Sequence, residues 1–299
     1  MKLNRLTLKD QVLLTKFLGL ARQELSVCAF ENIYIWRGLF DIRWAVIEDN
    51  LCLFFQDNIG CFLYLPPLGE RVSGAAVEES FRIMDKFNRN PDVSRLENAQ
   101  EKELPFYQRL GYECRTKPGD YLCLRQDLAG LKGDKFKSQR ASCNYFSKRY
   151  QSSYRPYSSS DKKECLRLYD EWMCRRKSRN TDRVYQGMLE DSRICLKILL
   201  ENYRDLKAQA RVVRIDNQIK GFSAGFKLNQ DTYCILYEFT DLSIKGLSQF
   251  VFRSFCRELS EYKYINIMDD SGLENLKKVK LSYRPIKMIP AYIVTRKNA

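Results

Sequence analysis

At 299 residues, with 44% hydrophobic and 29% charged side chains, the chain has the length of two ordinary domains and a composition that excludes a disordered protein. It contains no histidine, which removes Ser-His and Cys-His nucleophiles, histidine bases and histidine metal ligands together, and its 11 cysteines include no C-x-x-C pair, so no metal site is expected. The net charge of +14 is uneven: residues 131–220 hold 22 Lys/Arg against 11 Asp/Glu, and residues 275–299 hold 7 basic residues and no acidic one.

The first predicted element is a helix over 9–23, where Val12, Leu13, Phe17 and Leu20 recur near helical spacing behind Thr7 as a cap. The runs YIWRGLF (34–40), RWAVIED (43–49), LCLFFQD (51–57) and CFLYLPPLG (61–69) are short, aromatic and β-branched, and read as consecutive antiparallel strands. A helix over 75–88 and a strand at VSRLENA (93–99) follow. ELPFYQRL then predicts a short helix ending at Gly111, and Lys117–Asp120 predicts the turn of a hairpin.

Residues 131–157 read as a basic connector, helical at first and loose over 152–156. The same order then begins again, with helices over 161–176 and 185–203 and strands at ARVVRID, IKGFSAGFKL and TYCILYEFTD, separated by turns at Asp216-Asn217 and Asn229-Gln230. A helix over 246–259, the strand YKYINIM, a helix near 273–279 and the strand AYIVTRK complete the chain. The expected fold is therefore α/β (α+β), two tandem domains over 1–150 and 151–299, each a mixed, mainly antiparallel sheet flanked by helices. No apolar run reaches the roughly 18 to 20 residues that cross a bilayer, and Lys9, Asp10 and Lys16 interrupt any signal-peptide core. A cytoplasmic protein with reduced, packing cysteines is expected.

Phe106, Tyr107, Gly111 and Tyr112 form an F-Y-x-x-x-G-Y core that resembles the C-terminal helix and strand of GCN5-related acetyltransferase domains. Four further passages carry a wider resemblance: YIWRGLF, Pro66 to Gly69, the connector's Lys137, Arg140, Asn144 and Phe146, and YINIMDDSGLENLKKVKLSYRPIKMIPAY. Together they resemble the uncharacterised family allied to the C-terminal catalytic domain of phosphatidylglycerol lysyltransferase, whose members are tandem GCN5-related N-acetyltransferase-like domains. The resemblance covers nearly the whole chain. It implies an acyl or aminoacyl transferase using aminoacyl-tRNA as donor to an amine or hydroxyl acceptor, with no tightly bound cofactor. The alternatives are a coenzyme A-dependent N-acyltransferase and a non-catalytic RNA- or anionic-ligand-binding protein. The lipid-modifying relatives carry an Asp-Leu-Met-Arg element where this chain has Glu238-Phe239-Thr240-Asp241.

Ser243, Gly246 and Ser248 take the spacing of the acetyltransferase fold's phosphate loop, with Lys245 beside the helix entrance; an ordinary helix start capped by Ser243 is the alternative. Asn266 and Lys280 complete the expected donor-binding set, and the 266–272 loop is expected to face it. Without histidine, the base for an attacking amine falls to Glu238, Asp241, Asp269 or Asp270, with Tyr283 protonating the leaving group. A solvated turn is the plain alternative for Asp269-Asp270. Lys137, Arg140 and Lys148 are the candidates for binding nucleic acid, tRNA above all. An anionic lipid or a small-molecule amine is the expected acceptor, and a basic face that only aids solubility remains the alternative to both polyanionic partners.

Overall fold

Residues 2–21 and 23–297 are described by a computed structural model, and the chain divides into two units. The first comprises Met1–Asp120, Asp269–Gly272 and Met288–Ala299; the second comprises Tyr121–Met268 and Leu273–Lys287. The sequence places the boundary between domains near 150–157. Ser153–Pro156 is instead a paired strand within the second unit, so the basic connector counts with that unit and its expected loose stretch is ordered.

In the first unit the sheet runs β1 (Asn4–Arg5), β2 (Asp41–Ile47), β3 (Asn50–Gln56), β4 (Cys61–Leu63), β5 (Leu96–Ala99), β12 (Lys287–Arg296) and the start of β6 (Tyr112–Leu124). The β2–β3 hairpin closes on Glu48 and Asp49 at φ 47° and 59°, the backbone that lets a two-residue loop follow the strand twist. β4 and β5 are parallel, joined through helix α3 (Gly74–Phe87), which Ser73 caps by accepting from the Ala76 amide. Thr7 and Asp10 form a capping box ahead of α1 (Gln11–Leu18), as the sequence indicates.

Two expectations fail here. YIWRGLF is not a strand: Phe30–Ile35 is helix α2 and Trp36–Gly38 continues it as a 3-10 turn, because Phe30, Ile33 and Tyr34 share one buried helical face. Lys117–Asp120 is not a turn either, since all four residues stay in β6 after helix α4 (Leu104–Arg109). Each is held by tertiary partners. Lys117 pairs with Glu97 at 2.9 Å, a Cβ on Gly119 would lie 2.1 Å from the Ile289 carbonyl oxygen, and Asp120 accepts the Ser26 amide at 2.5 Å.

Around β5 the first unit is closed by its own polar side chains. Glu97 pairs with Arg95 at 2.7 Å as well as with Lys117, and Arg95 lies over the Phe62 ring. Asn98, at φ 60°, donates to the Tyr64 carbonyl at 2.8 Å and ties the end of β4 to the end of β5. Burial pushes the Glu97 carboxyl up, but the charges of Lys117 and Arg95 outweigh it and hold the group below the usual carboxylate range.

In the second unit the sheet order is the end of β6, then β11 (Tyr264–Asn266), β10 (Thr232–Thr240), β9 (Gln218–Lys227), β8 (Gln209–Ile215) and β7 (Ser153–Pro156). Asp216 and Asn217, at φ 48° and 59°, turn β8 into β9. Helices α7 (Lys162–Lys177) and α8 (Arg183–Asn202) cover one face, where Tyr169 meets Phe239 edge-on and the Tyr237 hydroxyl donates to the Ser192 carbonyl. Helices α5 (Arg125–Gly130), α6 (Lys137–Arg149) and α9 (Leu247–Glu258) lie on the other face. There Phe146, Leu247 and Val251 pack with Val213 and Ile215, and Phe252, Phe255 and Cys256 pack with Tyr233, Ile265 and Tyr283. Helix α10 (Glu274–Ser282) precedes the turn into β12.

Candidate active site

β10 and β11 run parallel, but their pairing ends at Cys234 and Asn266, where β11 stops. One residue further on, β10 bulges against β9 between Ile235 and Tyr237; the pairing resumes at Tyr237 opposite Ala224 and sets Glu238 directly opposite Ser223. The bulge resets the alternation, so Tyr237 and Phe239 turn toward α7 and α8 while Glu238 turns toward α9. Ser248, in the first turn of α9, donates its hydroxyl to Glu238 Oε1 at 2.5 Å.

Glu238 is thus a partly buried carboxyl whose nearest bonded partner is a neutral hydroxyl. Burial pushes it up to about 7, and the Ser248 hydrogen bond offsets only part of that shift. The Tyr283 ring packs at a tilt of 37° against Phe252 with centroids 4.4 Å apart, and its hydroxyl is pushed well above the usual phenol range, first by burial and then by the Glu238 charge. Burial, then Cys123 and the same Glu238 charge, push the Cys256 thiol well above the usual thiol range. A carboxyl able to lose its proton near neutrality and a phenol that keeps its own therefore share one environment.

Ser223 was not singled out by the sequence. It is fully buried, and its hydroxyl has no partner among the described residues. Only the β9–β10 register, fixed by a bulge, places it beside Glu238, so no local pattern could have flagged it.

Asn266 is buried at the end of β11 and accepts the Met268 amide at 2.7 Å, holding Met268 at φ 61°. Lys280, expected among the donor contacts, is 9% exposed and donates to the Ile267 carbonyl from α10. These two side chains fix the turn after β11.

The expected phosphate loop is built differently. Gly246 caps α9 at φ 85°, but a Cβ there would lie 2.2 Å from the Ser142 carbonyl oxygen and 3.2 Å from Phe146 Cβ, both on α6. The close approach that demands glycine comes from the chain's own helix. Lys245 sits over the Tyr145 ring, also on α6, 5.1 Å from its centre. Ser248 serves Glu238 and not a phosphate. Ser243 donates its hydroxyl and its amide to Asp241, so it supports a turn without capping the helix.

Asp241 is bound on every side, with Lys220 and Arg175 each at 3.1 Å in addition to Ser243. Burial opposes ionisation, but the Ser243 hydrogen bonds and Lys220 outweigh it and hold the carboxyl at about 2, too acidic for a base near neutral pH. Asp269 and Asp270 lie in the first unit's segment 269–272, where each accepts the backbone amide two residues ahead, at 2.6 and 2.9 Å. Of the basic trio on α6, Lys137 and Lys148 are exposed, whereas Arg140 donates to the carbonyls of Leu131 and Gly133, the latter at 2.9 Å, and braces the preceding loop.

Among the described residues no group of three cysteine, aspartate or glutamate side chains gathers as a metal set, and no helix is long and apolar enough to cross a membrane.

The tandem GCN5-related fold is shared with solved structures. A conserved protein of unknown function from Bacteroides thetaiotaomicron is 25% identical, with 99% of this chain and 100% of that one covered at a TM-score of 0.87. L-PGS from Bacillus licheniformis is 16% identical, with 97% and 93% covered at 0.65. A tandem GNAT protein from the clavulanic acid biosynthesis pathway is 8% identical, with 100% and 99% covered at 0.53. No curated protein matches the chain. The family described as phosphatidylglycerol lysyltransferase, C-terminal, matches residues 20–295, and the chain, of the acyl- or aminoacyl-transferring kind, belongs to it.

Proposed function

We propose that the second unit transfers an acyl or aminoacyl group to an amine, with Glu238 as general base and Tyr283 as general acid. The observation that carries this reading is the Glu238 carboxyl, pushed up to about 7 beside a phenol that stays protonated. As the amine nitrogen attacks the donor carbonyl, Glu238 accepts an N–H proton. The bond to the leaving oxygen or sulfur then breaks as Tyr283 supplies a proton, and Glu238 returns one to the phenol through solvent.

The leaving group favours an oxygen ester. An alkoxide needs a proton as it departs and can take one from a weak acid, whereas a thiolate leaves without help, so a phenol shifted further upward suits an aminoacyl-tRNA better than a coenzyme A thioester. The exposed Lys137 and Lys148 on α6 support a polyanionic donor. On this reading the protein works in the cytoplasm, where aminoacyl-tRNA is made.

Aminoacyl-tRNA and acetyl coenzyme A, each offered with a small primary amine, test the assignment. Transfer from the ester donor, bound but not turned over by Glu238→Gln, is the expected result. Turnover of neither donor by folded protein removes the transferase reading, and preference for the thioester removes the argument from Tyr283.

A further inference from the structure

Across the sheet of the second unit, Arg211 of β8, Ser223 of β9 and Glu238 of β10 stand in one row, because Arg211 is paired with Ser223 and Ser223 with Glu238. Directly opposed residues share a face of the sheet, with Cβ atoms about 4.5 to 5.5 Å apart in an antiparallel pair. The face is the one that α9 covers: Ser248 reaches Glu238 from that helix, and a Cβ on Gly221, two residues before Ser223, would lie 2.8 Å from Val251.

The three side chains are unequally satisfied. Arg211 is taken up by Glu258 at 2.6 Å and by the Ala210 carbonyl at 3.0 Å. Glu238 accepts the Ser248 hydroxyl on Oε1, and among the described residues its other oxygen accepts no hydrogen bond. The fully buried Ser223 hydroxyl has no partner among them either. A buried hydroxyl left unpaired is destabilising, and alanine would occupy the same place without that penalty. An unpaired donor and an unpaired acceptor thus meet in one cross-strand pair, and rotation about the Ser223 Cα–Cβ bond turns the hydroxyl toward the carboxyl.

The charge on Glu238 decides whether the two join. A protonated carboxyl is itself a donor, whereas a carboxylate offers sites for about four hydrogen bonds and holds each donor more strongly. No counter-charge takes that place, since burial and Ser248 alone act on the titration of Glu238. The titratable groups that feel its charge, Tyr283 after α10 and Cys256 of α9, are both pushed toward their protonated forms, and Arg211 is paired with Glu258.

We propose that Ser223 is a positioning residue for Glu238, its hydroxyl completing with Ser248 a cradle of two serines that closes on the carboxylate and opens on the acid. Being fully buried, Ser223 meets no substrate and acts through Glu238 alone. The proposal rests on the transferase reading for the role of Glu238 as base, but the cradle itself needs no donor.

Carbon-13 NMR of protein labelled at the glutamate side-chain carboxyls follows the titration directly, with the Glu238 resonance identified by its loss in Glu238→Gln. In Ser223→Ala the midpoint should lie about one pH unit above the parent's, because a hydrogen bond made only by the charged form is gone. Ser223→Cys, which keeps the volume and donates weakly, should move the same way, and in acid, where the cradle is open, both variants should melt no lower than the parent. Transfer by Ser223→Ala should fall about fivefold at the pH where the parent is half ionised, and recover at about two pH units above it. A midpoint that stays at the parent's value in both variants overturns the proposal, whatever happens to the rate. A shifted midpoint in protein that turns over no donor upholds the cradle and removes only the transferase reading.

Discussion

Both units join two parallel strands through a helix, β4–α3–β5 in the first and β10–α9–β11 in the second, and both hold a carboxylate on one of those strands. In the first unit Glu97 lies between Lys117 and Arg95, and its charge is stabilised by theirs. In the second unit Glu238 meets a serine hydroxyl in a setting of tyrosine, phenylalanine and cysteine. Burial is common to the two, but counter-charge is not, and the two carboxyls are therefore shifted in opposite directions from the ordinary value. The same contrast appears in the space beside each strand. Asn98 bridges β4 to β5, while β10 runs on past the end of its pairing with β11, carrying its bulge and Glu238 beyond it.

The largest expected effect separates the units by activity. Glu238→Gln should slow transfer by roughly 10² to 10⁴-fold with donor affinity preserved, and Glu97→Gln should leave transfer unchanged. Transfer by the parent should rise with pH through about 7, as the Glu238 base loses its proton, and level off above it. Equal losses in the two variants would mean that the chemistry is not confined to the second unit.

Next comes the helix start. Gly246→Ala forces a Cβ toward the Ser142 carbonyl at positive φ and should destabilise the fold by roughly 2 to 4 kcal/mol in urea titration. Gly111 has the same φ of 85° with nothing near its missing Cβ, so Gly111→Ala should cost about 1 kcal/mol, the conformational part alone. A similar small loss at Gly246 would show that α6 yields there.

Stability against pH should then move the two glutamines in opposite directions. The folded pKa of Glu97 is depressed, so its contribution is present above the ordinary carboxylate range and lost as pH falls; Glu97→Gln should be destabilised by roughly 2 kcal/mol at neutral pH, less in acid. The folded pKa of Glu238 is raised, so its contribution is full in acid and lost as pH rises through about 7. Glu238→Gln should accordingly gain roughly 2 kcal/mol over the parent at alkaline pH and nothing in acid. Melting temperatures from about pH 3 to about 9 read both signs, Glu97 at the acid end and Glu238 through about 7. The smallest effect is Lys245→Gln, which removes the contact with Tyr145 and should cost below about 1 kcal/mol; a large loss of donor affinity in that variant would restore Lys245 as a phosphate contact.

Local pattern made much of the fold legible: the strand runs at 43–49 and 210–216, the Asp216-Asn217 turn and the amphipathic helix α3 follow from periodicity and turn chemistry. What it missed depended on distant partners. Lys117-Pro118-Gly119-Asp120 has turn composition, yet Glu97, Ile289 and Ser26 hold it straight. Glu238 could be named because a chain without histidine leaves carboxylates as bases. Its separation from Asp241 could not be read, since one meets a serine and the other Lys220 and Arg175, all brought in by tertiary packing.

The allocation of β12 sets an order of events during synthesis. Tyr292 and Val294 pair with Ala99 and Leu96, so the first unit to emerge from the ribosome waits for one of its strands until the sequence of the second has been made. During that interval the inner edge of β5 is open to any strand that reaches it, and a chain stalled or truncated before residue 288 exposes a template for association. Expression of residues 1–120 alone should therefore give material that aggregates, and supplying 288–297 as a separate peptide is the direct way to rescue it.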